Sequence, residues 1–542
     1  MIETPEVRSG SWFSPPRLVL RGAAAGLAAG AVGIGASEFL AGVVPGTPSL
    51  VVAVGSFIIA LQPPGAKDVV IALFGTNDKL AVNIAVVMVA LLVAAAAGVL
   101  CRRRFDYAAR LLATFGVVAF LAAALQPLSA PGLAALNAVV ATTAGLGTLR
   151  ILVAEAGFME PIRLPFSTIG RAGGLQVADA ARSSLVREPG RRRFMIRSLE
   201  FVVGALAFGV FGRLLLDRQH PASAPVSATL PAAASTAAAL TADESLSAPG
   251  ITPLVIPNDS FYRIDTELLV PQVDASTWQL RVTGMVDQPL TFTYPQLLAM
   301  PLFEQYVTLA CVSNEVGGSL IGNTLWTGVH LKAVLAQAGV HAGATQIVGR
   351  SVDGFTVGFP TDYALDPARE PMIAVGMNRG PLPAEHGYPA RLIVPGLYGY
   401  VSATKWLSEI ELTTREAFDG YWVPLGWAKD GPILTESRID HPSNGAVPVG
   451  NVDIDGLAWA PDRGIKSVEV QIDGGPWQIA LLSRAISKAT WVQWWVRWQA
   501  TPGTHVIQVR ATDGTGAVQT ATAGGPGPAG ATGYHTVQVT AA

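Results

Sequence analysis

Cysteine is nearly absent from this 542-residue chain, which has only Cys101 and Cys311. Two thiols allow one disulfide at most, so neither a disulfide framework nor a multi-cysteine zinc or iron–sulfur site can be built. Cys101 closes an apolar run beside Arg102-Arg103-Arg104, while Cys311 lies in the other half of the chain, and pairing between them is not expected. Histidine is scarce as well. His220, His330, His341, His386, His441, His505 and His535 all avoid the long apolar runs. That excludes a bis-histidine haem in a bilayer, and no C-x-x-C-H stretch exists for a covalent haem. Charged residues make up only 14%, and 37 basic against 39 acidic side chains give a net charge of −2. Such a balance lacks the basic excess that a nucleic-acid partner would require.

What is abundant is apolar surface: half the residues are hydrophobic and the mean hydropathy is +0.40. Five stretches can each supply the ~20 helical residues that cross a bilayer core. They are Leu18–Val44, Leu80–Leu100, Ala108–Leu125, Pro131–Val153 and Met195–Leu216. A sixth, Ser49–Phe74, is broken at Pro63-Pro64-Gly65, which leaves arms too short to span and predicts a re-entrant or interfacial segment. Arg8, Arg17 and Arg21 precede the first span, and Arg102, Arg103, Arg104 and Arg110 fill a short loop. Seven arginines lie between Ala154 and Phe194. Placing these three basic regions on the cytoplasmic side predicts five crossings with the C-terminal half outside the cell membrane. Gly190-Arg191-Arg192-Arg193-Phe194-Met195 resembles a twin-arginine export signal, though an arginine cluster flanking a span has the same appearance. No chain of acidic or histidine residues runs through the spans, so a docking surface or anchor is expected rather than a transporter.

Residues 1–217 thus read as an all-α membrane domain. Residues 218–250, nearly all Ala, Pro, Ser and Thr, read as a flexible linker. From Ile251, short β-prone runs alternate with turns: Trp278–Thr283, Gln305–Val312, Ala344–Arg350, Phe355–Phe359, Met372–Val375, Ala390–Val394 and Lys405–Leu412. Gly328–Ala338 is a helical pattern stopped by Gly339, and the mix predicts an α+β domain over 251–435. Residues 436–542 hold further strand patterns, Ala446–Ile454, Ile465–Ile472, Trp491–Gln499, His505–Ala511 and His535–Val539. Gly474-Gly475, Pro502-Gly503 and Asp513-Gly514 mark turns, and the pattern predicts an all-β, immunoglobulin-like sandwich. Within 251–435, Cys311 ends an apolar run and opens the turn Asn314-Glu315-Val316-Gly317. A thiol there is either a small buried hydrophobe or a metal ligand.

Five motifs occur in order. They are Asn258-Asp259-Ser260-Phe261-Tyr262-Arg263, Leu309-Ala310-Cys311, Leu325-Trp326-Thr327-Gly328-Val329, the run from His386 to Gly396, and Thr404-Lys405-Trp406-Leu407. Together they resemble the sulfite oxidase family of molybdopterin-dependent oxidoreductases. The resemblance implies that Cys311 is the protein's thiolate ligand to molybdenum, whose other sulfurs come from the pterin. It places Asn258, Tyr262, Arg263, Ser351 (or Asp353) and His386 against the pterin. Arg391 and the stretch Ala403-Thr404-Lys405 fall where the cofactor phosphate is held. Ile472–Trp477 and Val509–Asp513 resemble the family's second domain, which implies a homodimer. One departure bears on substrate. The family places arginines just after the cysteine, whereas here Val312-Ser313-Asn314-Glu315 come next, and Glu315 would repel sulfite or nitrate. The expected function is two-electron oxygen-atom transfer on a small neutral substrate such as a sulfoxide or N-oxide. With no haem or iron–sulfur ligands in the chain, electrons would pass through a separate protein or the quinone pool. The competing readings are a true sulfite oxidase, or a cofactor-free surface binding protein on a degenerate enzyme fold.

Overall fold

The computed structural model describes residues 16–63, 73, 78–101, 104–127, 129–156, 189–219 and 229–542. They divide into two compact units, one helical and ending at residue 219, the other rich in strands and beginning at 229.

In the helical unit, α1 (Pro16–Val43), α3 (Asp78–Leu100), α4 (Phe105–Ala124), α5 (Pro131–Glu155) and α6 (Pro189–Gln219) are each long and apolar enough to cross a membrane. Between α1 and α3 lies α2 (Leu50–Ala60), capped by the Ser49 hydroxyl, which accepts from Val52 N–H. Its 11 residues span about 17 Å, short of the roughly 30 Å a crossing needs. Most of the broken segment beyond α2 lies outside the described residues, as does the arginine-rich loop over 157–188. Alanine and glycine line the faces of α1 that meet α3, α5 and α6: a Cβ on Gly26 would stand 2.0 Å from the Ala94 carbonyl. Small side chains let the helix backbones touch.

In the strand-rich unit, the first part contains, in order, β1 (Gln279–Gly284), β2 (Leu290–Thr293), β3 (Leu302–Ala310), β4 (Ile321–His330), β5 (Gln346–Ser351), β6 (Thr356–Pro360), β7 (Met372–Met377), β8 (Gly380–Pro381), β9 (Arg391–Ile393) and β10 (Leu407–Thr413). One sheet runs β2-β1-β10-β5-β6, with only β1 and β10 parallel; a second runs β3-β4-β7-β8, with β9 on β7. Short helices connect them, among them Leu331–Ala338 and Gly399–Ser402. The predicted helix Gly328–Ala338 is therefore shorter at its start. Gly328, Val329 and His330 pair with Ala374, Ile373 and Met372 and extend β4, so sheet pairing overrides the helical spacing there.

Residues 436–542 form two sheets. One joins β11 (Glu436–His441), β13 (Gly450–Trp459), β17 (Val492–Ala500) and β16 (Leu481–Leu482). The other joins β12 (Gly445–Val447), β19 (His535–Ala541), β18 (Gly503–Asp513), β14 (Ile465–Ile472) and β15 (Gln478–Ile479). Alternate residues such as Val452, Ile454, Val468, Val470, Trp494, Val496, Ile507 and Val509 close a core between them. The run read as one strand over Ala446–Ile454 is two, one in each sheet, with Gly450 at φ +107° between them.

The segment expected as a flexible linker is ordered from residue 229 on. Ser235 pairs with Phe303 at the open edge of β3, its N–H and carbonyl engaging Leu302 and Glu304. Further on, Arg484 binds Asp243 and Leu246 N–H donates to Gln493 Oε1. An edge strand offers unpaired backbone groups, so a segment poor in large side chains can dock there without a core of its own. Residues 220–228 lie outside the described residues.

Candidate active site

β3 is buried along most of its length and stops at Ala310, which makes Cys311 the first residue beyond the strand. Its N–H donates to the Leu320 carbonyl at 2.9 Å, and its carbonyl accepts from Asn314 N–H at 3.1 Å. Buried Asn314 closes the loop by accepting from Leu320 N–H at 2.8 Å, and Arg438 of the C-terminal sandwich clamps it by donating to the Gly318 carbonyl at 2.8 Å. The thiol itself is half-buried and free, and Glu315 is exposed at the lip of the loop.

Four chain segments converge near this turn. Asn258 sits in the short helical turn Asn258–Ser260, where its carbonyl is 3.0 Å from His386 Nε2 and its Oδ1 accepts from Asn378 Nδ2 at 2.8 Å. A carbonyl opposite Nε2 requires the proton on that nitrogen, which leaves His386 Nδ1 a bare acceptor. That atom is buried and has no partner, and burial, more than the nearby cations, pushes the His386 pKa down to about 3. The imidazole is therefore neutral.

Arg391 opens β9 and is 4% exposed. Its Nη1 donates to the His386 carbonyl at 3.0 Å and its guanidinium lies 5.0 Å over the Trp326 ring. The Nε has no partner, and no carboxylate among the described residues pairs with the group. Burial lowers its pKa to about 10. Lys405, 8% exposed, donates to Asp265 Oδ2 at 3.0 Å and to the Glu385 carbonyl at 2.9 Å, and burial brings its pKa down to about 8 despite that ion pair. Asp265 serves Arg263 as well, at 2.9 Å. Thr404 is fully buried with its Oγ1 unpartnered, and Ala403 contributes backbone, donating to the Gly399 carbonyl. Gly387, at φ +109°, lets these segments close together: a Cβ there would stand 2.9 Å from Lys405 Cα and 3.2 Å from Arg391 Cβ.

Tyr262 is held within electrostatic reach of both Cys311 and Arg391, and burial raises its pKa far beyond the ordinary phenol value. Ser351 ends β5, 7% exposed, and its hydroxyl accepts from Asp353 N–H at 3.4 Å. Asp353 interacts electrostatically with Asp265 and Lys405, and burial raises its pKa. Both alternatives read from the sequence thus lie in one turn beside the cationic cluster. Asp265 belongs to none of the motifs read from the sequence; its one signal there is an acid two positions after Arg263.

Asp265 is the one carboxylate paired with Arg263 and Lys405, Arg391 has none among the described residues, and three buried polar atoms (His386 Nδ1, Arg391 Nε, Thr404 Oγ1) stay unsatisfied. Groups so buried are normally satisfied, and this set is complementary to an anion with several acceptors and a hydrogen-bond donor. No cluster of three His, Cys, Asp or Glu among the described residues could hold a metal alone. A metal at Cys311 would need ligands from a bound molecule. The residues fit a phosphorylated, sulfur-bearing cofactor.

Residues 267–422 match the oxidoreductase molybdopterin binding domain. Through this domain, the chain is similar to the sulfite oxidase family of molybdopterin-dependent oxidoreductases. It is 31% identical over 287 residues to the mitochondrial sulfite oxidase of Homo sapiens, covering 45% of this chain and 52% of that protein. To nitrate reductase [NADH] 2 of Nicotiana tabacum it is 27% identical over 285 residues, covering 42% of this chain and 31% of that one. The chain therefore spans about half the length of the sulfite oxidases it matches. Among solved structures, the sulfane dehydrogenase SoxCD of Paracoccus pantotrophus is 26% identical, covering 51% of this chain and 76% of that one at a TM-score of 0.45.

Proposed function

We propose that the chain is a membrane-anchored, extracytoplasmic molybdopterin oxidoreductase that transfers an oxygen atom, with two electrons, to or from a small neutral substrate of the sulfoxide or N-oxide type. The observation that carries this reading is the buried Arg391 guanidinium, which faces no carboxylate and stands beside the unsatisfied His386 Nδ1 and Thr404 Oγ1. Cys311 would hold molybdenum through its thiolate, a soft ligand suited to that metal. Arg391, Thr404, Lys405 and the Ala403 backbone would bind the phosphate, and Asn258, Tyr262, Arg263, His386 and Ser351 would orient the pterin. When bound, the cofactor supplies the two-electron couple. Within the chain, Asp265 holds Arg263 and Lys405 in register, and the Trp326 ring lies against one face of the Arg391 guanidinium.

The neutral substrate is inferred from the residues after the thiol. Val312, Ser313 and Asn314 bring no charge, and Glu315 brings a negative one to the lip of the loop. An anion approaching there meets like charge. Anchoring rests on the five long apolar helices. The sandwich of residues 436–542 is read as immunoglobulin-like and as the place where a second copy would dock, and the electron partner as a separate protein or a membrane quinone.

Steady-state kinetics of the full chain in detergent test the substrate class, with an artificial electron donor or acceptor and a panel of sulfoxides, N-oxides and sulfite. A kcat/KM for a sulfoxide or N-oxide above that for sulfite is expected. Sulfite as the far better substrate would overturn the neutral-substrate reading.

A further inference from the structure

Glu436 heads β11, directly opposite Trp459 in the antiparallel pair with β13. Residues so paired point to the same face. Both are buried, at 5% and 1% exposure, yet Glu436 Oε1 and Trp459 Nε1 each lack a hydrogen-bond partner. Leaving a buried acceptor and donor unbonded costs about 1–3 kcal/mol apiece, so such a pair calls for an explanation. Tyr398 links this place to the thiol. Its hydroxyl accepts from Leu434 N–H at 3.4 Å, two residues before Glu436. Its neighbour Gly399 lies against the end of β3, where a Cβ would be 3.8 Å from the Ala310 carbonyl. From the sandwich, Gly530 closes over the ring at φ +116°; any side chain there would meet the phenol oxygen at 2.6 Å.

We propose that Glu436 is a proton reservoir for the site, and that the Tyr398 hydroxyl relays protons between it and the reacting atoms beside Cys311. The proposal rests on the oxidoreductase reading above. Reducing an oxygenated substrate breaks its S–O or N–O bond and releases the oxygen as water, which consumes two electrons and two protons. The bound cofactor would supply the two electrons, which the electron partner would replace. One proton comes from the Glu436 carboxyl across Tyr398, the other from solvent, and solvent then reprotonates Glu436. In the oxidative direction every transfer is reversed.

The electrostatics suit the role. Burial alone pushes Glu436 up to about 8, so it carries its proton at neutral pH and gives it up within reach of that pH. Tyr398 interacts with both Glu436 and Cys311, and burial keeps its phenol protonated, so it can pass a proton without itself remaining charged. Asp455 of β13, opposite His441, is a second buried carboxyl without a hydrogen bond, pushed up to about 7 mainly by burial. Only the loss of a carboxyl band in Glu436→Gln therefore assigns that band to Glu436. The remaining charged groups around β11 are engaged elsewhere. Arg438 binds Asp440, Thr252 and the Gly318 carbonyl; Asp513 binds Arg463 and Thr435; His535 Nδ1 accepts from Ile439 N–H.

Infrared difference titration of the full chain in detergent reads Glu436 whether or not molybdenum is present. A protonated-carboxyl band that fades with a midpoint near pH 8, is missing in Glu436→Gln and shifts in Tyr398→Phe is the expected result. Absence of that band, or a midpoint in the ordinary carboxylate range, overturns the reservoir. In molybdenum-loaded protein, Glu436→Gln should keep its metal, lower kcat on the order of 100-fold and abolish the alkaline limb near pH 8, with Glu436→Asp restoring part of it. An unchanged pH profile in metal-replete Glu436→Gln overturns the relay. A wild-type chain that takes up no molybdenum overturns the oxidoreductase reading on which the relay rests, while the infrared band still decides the state of Glu436.

Discussion

The cradle around Arg391 and the seam around Arg463 both use a partly or fully buried arginine, and the two are satisfied in opposite ways. Arg463 donates to Asp513, Asp462, the Ile433 carbonyl and Thr435, and Asp513 is further held by Thr515. Those hydrogen bonds, against an opposing effect of burial, hold the Asp513 carboxyl well below its ordinary range. Arg391 is more deeply buried and finds one backbone carbonyl and the face of a tryptophan. A structural ion pair brings its own counter-charge, whereas a binding arginine leaves its counter-charge to the ligand. The contrast is the one expected between an arginine that holds the fold and one that awaits a ligand.

Replacing each arginine by methionine should therefore move stability in opposite directions. In cofactor-free protein, Arg463→Met leaves Asp513 without its main cation and should cost about 2–3 kcal/mol, less than a fully buried pair because Arg463 is 26% exposed. Arg391→Met removes a charge buried without an anion and should be neutral or stabilising. The same Arg391→Met should weaken cofactor retention by roughly 100-fold or more, as loss of a buried phosphate contact would. Thermal melts and metal content after gel filtration measure both effects. Loss of stability in both variants would break the comparison.

The next effect is on acid stability. His386 titrates near 3 in the folded chain and near 6.5 unfolded. The unfolded state therefore binds the extra proton between these values, and stability falls as pH drops through that window. At 1% exposure the full term applies, about 4–5 kcal/mol. His386→Gln should flatten the acid limb of denaturant midpoints, and an unchanged limb would show that the ring is not held neutral. Lys405 gives a smaller effect of the same sign on the alkaline side. Folded it releases its proton near 8, unfolded near 10.5. Stability of cofactor-free protein should rise by about 3 kcal/mol as pH climbs between those values, and Lys405→Met should lose that rise. A bound phosphate would keep Lys405 charged, so cofactor affinity should weaken as pH passes 8. The smallest effect is at the lip. Glu315→Arg should raise kcat/KM for sulfite relative to a neutral substrate about 10-fold at low salt, and less at high salt.

The candidate residues that the sequence brings forward sit in short motifs at strand ends. Cys311, Arg391, Thr404 and Lys405 all fall within a few residues of a strand boundary, where local pattern and ordered spacing carry the signal. Asp265 was not legible in its role, because its work is to join Arg263, two residues away, to Lys405, 140 residues on. Glu436 was invisible for a similar reason: its burial is set by Trp459 and by the seam of two domains, neither of which marks the local sequence. The tether reading of residues 229–250 went wrong on physical grounds. Composition reports whether a segment can build a core, and this one instead pairs its backbone with the edge of β3. Likewise Gly328–His330 carries helical spacing but lies in reach of β7, and ladder pairing prevails.

Molybdenum content of the purified full chain, expressed with cofactor supply and compared with Cys311→Ser, tests the central claim most directly. About one molybdenum per chain in the wild type, lost in a Cys311→Ser variant that keeps the same far-ultraviolet spectrum, is the expected result. A wild-type chain that emerges folded and without molybdenum, or a Cys311→Ser variant that retains it fully, would contradict the account.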